Sequence, residues 1–223
     1  MRIAIVGGTG KLGSGLAIRW ARAGNEVVLG SRQADKARLH AATLVTGGHG
    51  FIEGDDQVRA TKSADIVVLT VPYAAHQATV RAIAAAAKGK VVIDATVPLR
   101  PPNVDRVQLP PGRAAALEAQ AMLGPETPVA AALHHVSAAH LADPAHPIES
   151  DVLVAVDDPR ARKAAFELLR DLGVRPLDAG PLVNAIALES MTPVLIHLNR
   201  TYKSRGAGVV FTNLPLRDSV AGG

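Results

Sequence analysis

The chain of 223 residues has no cysteine and few aromatic side chains, which make up 3% of it. Without cysteine it can form no disulfide, no thiolate nucleophile and no zinc–thiolate site. So few aromatic residues argue against a surface on which nucleic-acid bases stack. The modest net charge of +4 is spread along the chain, so it suits small anionic ligands better than a nucleic-acid backbone. No apolar run approaches the length of about 18 residues that a membrane-spanning helix needs.

The remaining composition is that of a globular protein. Apolar residues make up 48% and charged residues 20% of a chain that is long enough to bury a large core. Met1 leads directly into an apolar strand, which leaves no room for a signal or transit peptide. We therefore expect a cytoplasmic protein with no membrane and no nucleic-acid partner.

A glycine-rich segment follows the first predicted strand, residues 3–6. It contains Gly8, Thr9, Gly10, Lys11, Leu12 and Gly13, in the pattern G-x-G-x-x-G, and a helix with an apolar face comes next. Strand, glycine turn and helix predict a mononucleotide-binding βαβ unit, in which free N–H groups at the helix amino terminus bind a pyrophosphate. A Walker A loop is excluded because Lys11 is followed by Leu12 and not by Ser or Thr.

The second predicted strand, residues 26–30, ends without an acidic residue. NAD-binding units place Asp or Glu there to hold the ribose 2′-hydroxyl, whereas this chain has Ser31, Arg32 and, one helical turn later, Lys36. Each charge-assisted hydrogen bond to a 2′-phosphate contributes about 1.5–3 kcal/mol. A preference for NADP over NAD of roughly ten- to hundredfold follows. The alternative is a basic, solvated start of a helix.

Strands and helices alternate along the rest of the chain. Strands are predicted at 65–71, 91–95, 128–133, 151–156 and 174–177, and helices at 34–45, 74–87, 113–123, 159–172 and 184–202. Residues 54–56 favour a turn, and five prolines between 98 and 111 predict a loop that contains neither helix nor central strand. The alternation predicts an α/β fold of the Rossmann type: a doubly wound, mostly parallel sheet, with a small C-terminal helical segment that completes the cleft.

Four histidines lie close together in the sequence. His134 and His135 follow a predicted strand at the edge where open α/β sheets bind ligands, and His140 and His146 are near. A metal site is one interpretation, but the spacing matches no metal-binding motif. The others are a structural histidine pair and a pair that lines the ligand cleft.

Groups for acid–base chemistry are scarce. Glu189 lies mid-helix among apolar residues, which favours a buried, hydrogen-bonded acid, and Ser190 shows no nucleophile elbow. A reaction in which two coenzymes exchange hydride directly fits this scarcity, because the protein then supplies orientation while the rings supply the chemistry.

The chain resembles the NADPH-dependent reductases of coenzyme F420, an 8-hydroxy-5-deazaflavin, over nearly its whole length. The shared stretches are 7–17, 30–36, 69–72, 132–134, 176–182 and 189–193. The resemblance implies hydride transfer between NADP(H) and F420, with F420 as co-substrate, in a homodimer or larger assembly. It implies an NADP-binding domain, 1–178, and a C-terminal helix and tail, 179–223, that contributes to the deazaflavin cleft and the dimer interface.

The resemblance also implies a role for each site residue. Thr9 to Leu12 would hold the pyrophosphate, and Ser31, Arg32 and Lys36 the 2′-phosphate. The residues expected beside the nicotinamide are Val71, Pro72 and Tyr73. Those expected to face the deazaflavin are Val97, Pro98, His134, Val136, Ala138, Ala207 and Gly208. Our own hypothesis is that His134, as the catalytic residue, forms a hydrogen bond with the oxygen edge of the deazaflavin and stabilises the charge that moves there. The chain departs from the family at Tyr73 and at residues 135–137.

Two other functions are compatible with the sequence. An NADP-dependent reductase of another small acceptor could use the same scaffold, and so could an NADPH-sensing module without turnover. Both would keep the basic 2′-phosphate site, so that site alone does not discriminate among the three.

Overall fold

A computed structural model describes residues 1–44 and 47–214 of the chain. Its eight strands are β1 (Arg2–Val6), β2 (Glu26–Ser31), β3 (Phe51–Asp56), β4 (Ile66–Leu69), β5 (Val91–Asp94), β6 (Val129–Ala131), β7 (Asp151–Val156) and β8 (Arg175–Asp178). They form one sheet in the order β3-β2-β1-β4-β5-β6-β7-β8, in which only β7 runs antiparallel to the strand before it. The predicted doubly wound, mostly parallel sheet is confirmed.

Eight helices connect or follow these strands in the described residues. They are α1 (Lys11–Arg22), α2 (Ala34–Thr43), α3 (Gln57–Ser63), α4 (Tyr73–Ala87), α5 (Ala115–Leu123), α6 (Ala138–Ala142), α7 (Pro159–Arg170) and α8 (Ala185–Thr201). A short 3-10 helix, Leu182–Asn184, leads into α8. Among the described residues no helix combines the length and the apolarity that crossing a membrane requires.

The core lies on both faces of the sheet. Side chains alternate along β1, so that Ile3 and Ile5 pack with Trp20 on one face while Val6 packs with α4 on the other. Both faces are covered by helices, which is why the strands read as continuous apolar runs. Trp20 is fully buried, and its indole N–H donates to the Leu168 carbonyl at 2.9 Å.

The structure corrects several predicted elements. Residues 54–56 are not a turn but the end of β3, because β3 pairs along its whole length with β2 and this pairing outweighs the turn propensity of Gly-Asp-Asp. The short helices α3 and α6 were not predicted. Helix α2 ends at Thr43, and residue 45, its predicted end, lies outside the described residues, as do residues 215–223 of the predicted C-terminal segment.

Candidate functional site

The strand order reverses direction between β1 and β4, and the first cleft opens there. Val6 pairs with Gly30 on one side and with Leu69 on the other, so the carboxyl ends of three strands meet at this edge. The cleft has a volume of about 380 Å³. Its lining includes these predicted residues: Thr9, Gly10, Lys11, Leu12, Ser31, Arg32, Lys36, Val71 and Pro72.

Two motif glycines lie behind the cleft instead of lining it. A Cβ on Gly13 would stand 2.6 Å from the Cα of Gly8, a separation that real side chains do not reach. Helix α1 therefore packs directly on the turn that follows β1. This contact directs the amino terminus of α1, with its free N–H groups, into the cleft.

The cations at the rim of the first cleft are available to a ligand. Arg32 and Lys36 are exposed, and neither forms an ion pair with the residues that the structure describes. The two carboxylates at the end of the neighbouring strand are already engaged, since Asp55 lies 3.4 Å from Arg38 and Asp56 caps α3. A 2′-phosphate at this rim would meet two free cations and no free acid.

A hydrogen-bonded bridge that the sequence analysis missed supports the glycine loop. The Ser14 hydroxyl donates to the Gly10 carbonyl at 2.8 Å, and Nε2 of His40 lies 2.7 Å from the Ser14 hydroxyl oxygen. Because Ser14 uses its proton on the loop, Nε2 of His40 is the donor to Ser14. The bridge joins α2, which carries Lys36, to the loop at the amino terminus of α1.

A second cleft, of about 290 Å³, lies between α8 and the residues that follow β6, 134–139. It brings together four predicted residues, which are His134, Val136, Ala138 and Ala207. The last predicted residue, Gly208, lies beside Ser150 and is not in the lining.

The His134 ring is buried, and neither ring nitrogen has a partner among the described residues. Burial lowers the pKa of His134 to about 3, so the imidazole is neutral and offers one donor and one acceptor. Its backbone carbonyl accepts from Thr192 on α8 at 2.5 Å. An unpartnered buried polar group is costly, which makes this ring a candidate for a hydrogen bond with a water molecule or a ligand.

The neighbouring His135 has a different environment. Its Nε2 lies 3.0 Å from the Asp151 carbonyl oxygen and accepts from Leu153 N–H at 3.2 Å, and burial lowers its pKa. Both histidines therefore line the second cleft, as one sequence-based interpretation expects, and His135 is in addition held by β7. No group of three metal-ligating side chains occurs in the part of the chain that the structure describes.

Three other predicted residues lie outside both clefts. Val97 and Pro98 line a small separate pocket at the base of the proline loop, together with Glu189. Tyr73 lies at the start of α4 and donates to Glu118 at 3.0 Å. Burial and this hydrogen bond raise the pKa of the Tyr73 hydroxyl to about 12.

Glu189 is a buried, hydrogen-bonded acid, as the sequence predicts. Its carboxylate accepts from the backbone N–H groups of Ala115 and Ala116, at 2.8 and 3.0 Å, where α5 begins. Burial raises its pKa to about 8 despite these two hydrogen bonds. The carboxylate therefore ties α8 to α5 at the end of the proline loop.

Comparisons with known proteins agree with this geometry. Residues 2–98 match the family model described as NADP oxidoreductase coenzyme F420-dependent. The chain is 42% identical to the F420-dependent NADP reductase of Methanothermobacter thermautotrophicus, covering 96% of each chain. It is 37% identical to that of Methanocaldococcus jannaschii, over 97% of this chain and all of the relative. A crystal structure from Arthrobacter sp. FB24 that carries the same family name superposes with a TM-score of 0.78 at 25% identity, covering 94% of this chain and 99% of that one.

Proposed function

The chain belongs to the family of F420-dependent NADP reductases, and we propose that it transfers hydride directly between NADP(H) in the first cleft and coenzyme F420 in the second. The nicotinamide supplies or receives the hydride at C4 and the deazaflavin at C5. The observation that carries the assignment of the clefts is the group each offers: the exposed Arg32 and Lys36 border the first beside the glycine loop, and an unpartnered neutral imidazole, His134, lines the second.

The first cleft suits NADP(H) because each part of the dinucleotide meets a matching group. Backbone N–H groups from Thr9 to Leu12 would bind the pyrophosphate, and Arg32 and Lys36 would bind the 2′-phosphate together with Ser31. Val71 and Pro72 supply an apolar wall at the carboxyl end of β4. This chain's contribution to the rate is to hold the two rings at near-attack distance.

The second cleft offers a neutral hydrogen-bonding ring, His134, and an exposed cation, Arg205. His134 is neutral, so its N–H can donate to a carbonyl oxygen without placing a full positive charge beside the hydride. Val136, Ala138 and Ala207 provide small apolar contacts around it. We assign His134 the role of holding the deazaflavin and stabilising the charge that moves onto its oxygen edge.

The decisive experiment mixes the protein with NADPH and oxidised F420 and follows the loss of the deazaflavin absorbance. Turnover supports the proposal. Turnover only with another small acceptor would support the alternative reductase, and NADPH binding without any turnover would support a sensing module. For His134→Ala we expect a lower kcat, a higher KM for F420, or both, and unchanged values would remove the role assigned to this residue.

We also propose a homodimer, formed through the C-terminal segment, and a cytoplasmic location. On α8 and the residues around it, Val183, Val194 and Tyr202 are 44%, 50% and 75% exposed, which is high for apolar side chains that lie close together in sequence. Light scattering on the intact protein tests the dimer, because Val194→Asp should then shift the mass toward that of the monomer. A monomeric wild-type protein would exclude it.

A further inference from the structure

Arg19 is a charged residue on the buried side of α1. Its side chain is only 9% exposed. The guanidinium faces four backbone carbonyls: Nε donates to Leu141 at 3.1 Å, and the two hydrogens of Nη2 are shared among the carbonyl oxygens of His140, Asp143 and His146, at 2.6, 2.6 and 2.7 Å. No carboxylate lies within ion-pair distance of Arg19 in the described residues. The cation therefore serves as a fixed donor to backbone oxygens.

The four carbonyls all belong to α6 and the turn that follows it. One helical turn before Arg19, on the same face of α1, Gly15 makes the closest contact with α6, since a Cβ there would stand 2.6 Å from the Cβ of Leu141. The two positions together hold α6 close against α1. A lysine could not match this arrangement, because the planar fork of arginine is what reaches several acceptors at once.

The other end of α6 borders the second cleft. Ser137 caps the helix, and its hydroxyl also donates to the carbonyl of Arg205, in the segment that follows α8, at 3.0 Å. Next to Arg205, Gly206 packs against the ring of His140 so closely that a Cβ would overlap it. Ala138 and Ala207, one from each segment, both line the cleft. Two of its walls therefore depend on where α6 lies.

We propose that Arg19 is a positioning residue for the coenzyme in the second cleft. It fixes α6, and through α6 the segment 205–207, so that these walls are in place beside His134. This inference rests on the proposed function, because it assigns that cleft to the deazaflavin. It also makes α1 the element that serves both coenzymes: the amino terminus faces the first cleft, and the side chain of Arg19, more than two turns later, holds the second.

The test compares Arg19→Met with Arg22→Met. Arg22 is exposed in the same last turn of α1, so its variant controls for loss of an arginine from the helix. The Kd of oxidised F420, measured by quenching of its fluorescence, and the KM for F420 should both rise about tenfold or more in Arg19→Met, because a misplaced wall loosens the coenzyme. The Kd of NADPH should stay within about twofold of wild type. Arg22→Met should change none of the three.

Arg19→Lys should restore part of the F420 affinity, since an ammonium group retains up to three donors. Gly15→Ala, which pushes α6 from the same face without removing any hydrogen-bonding group, should reproduce the selective loss of F420 binding. A general loss of folding would instead weaken NADPH binding to the same extent and would overturn the proposal.

Unchanged F420 binding in Arg19→Met, with a wild-type protein that reduces F420, would overturn the role of Arg19 alone. A wild-type protein that neither binds nor reduces F420 would overturn the proposed function and this inference together.

Discussion

The Nε2 atom of His76 and the Oδ2 atom of Asp94 lie 2.7 Å apart, and both side chains are fully buried. The pair joins the first turn of α4 to the end of β5, and the other carboxylate oxygen accepts from Thr96 N–H at 2.9 Å. Burial opposes the protonation of His76, but the hydrogen bond and the charge of Asp94 outweigh it and raise the pKa of His76. The pair therefore connects the wall of the first cleft to the segment that leads into the proline loop.

Asp94→Asn should lower the free energy of unfolding by about 3–5 kcal/mol, because it leaves one partner of a buried ion pair alone. The pKa of His76 is raised above 6.5, so the contribution of the pair is complete below that pH and is lost as pH rises through the raised pKa. Urea unfolding at about pH 6 and about pH 9 should show a larger difference between wild type and variant at the lower pH. A difference independent of pH would contradict this assignment.

Glu189 gives the stability of the protein a second pH dependence. Its pKa is about 8 in the folded protein against an ordinary 4.5, so the folded state binds an additional proton between these values. The contribution of protonated Glu189 to the free energy of unfolding is complete below pH 4.5 and is lost as pH rises through about 8. In Glu189→Gln residue 189 cannot titrate, so the free energy of unfolding of this variant should fall less than that of wild type between about pH 5 and about pH 6. In this interval His76 contributes little to the pH dependence of stability. If urea unfolding gives the same change in the free energy of unfolding with pH for both proteins, the raised pKa is contradicted.

Arg32→Ala and Lys36→Ala should each raise the Kd of NADPH by roughly ten- to hundredfold and leave the Kd of NADH unchanged, since only NADPH carries the 2′-phosphate. Calorimetry with both nucleotides measures this difference. The matched control is Leu39→Ala on the same helix, because Leu39 is exposed, carries no charge and does not line the cleft. Equal affinity for NADH and NADPH in the wild type, indifferent to Arg32→Ala, would remove the assignment of the first cleft to NADP.

Ser14→Ala should raise the Kd of NADPH and the Kd of NADH by the same factor, about three- to tenfold. This factor corresponds to the net free energy of one hydrogen bond. The hydroxyl fixes the Gly10 carbonyl, and the loop binds the pyrophosphate that both nucleotides share. Ser63→Ala, which removes a similar hydroxyl–carbonyl bond from α3, is the control and should have no effect on either Kd. A loss of affinity for NADPH alone would mean that the hydrogen bond between Ser14 and His40 acts mainly by positioning Lys36.

Sequence reasoning succeeded where one local pattern determines the structure. The strand, the glycine turn and α1 each follow from residues 3–17, and the absence of an acid after β2 placed Arg32 and Lys36 at the rim of the first cleft. The buried, hydrogen-bonded Glu189 and the buried Trp20 were also predicted, because a lone polar or large side chain among apolar residues at helical spacing is buried when the helix packs.

The remaining features depend on contacts between distant segments. Arg19 lies more than a hundred residues from its four acceptors, and nothing in the sequence of α1 indicates that this arginine is buried. The direction of β7 is set by the connection through α6, since its apolar sequence suits a parallel and an antiparallel neighbour equally. Helices α3 and α6 are short, and only their caps, Asp56 and Ser137, offered a signal in the sequence.

The segment after α8 is anchored to the sheet at residues 209–211, beyond the exposed Lys203 and Arg205. Arg175 pairs with Asp151, and both also bind the backbone of Phe211, while Val209 accepts from Asp151 N–H. A protease that cuts after Lys203 or Arg205 would therefore sever the covalent link to α8 and leave the far piece attached by this clamp. A nicked molecule would migrate as two fragments in denaturing gels and still elute as a single particle in native chromatography.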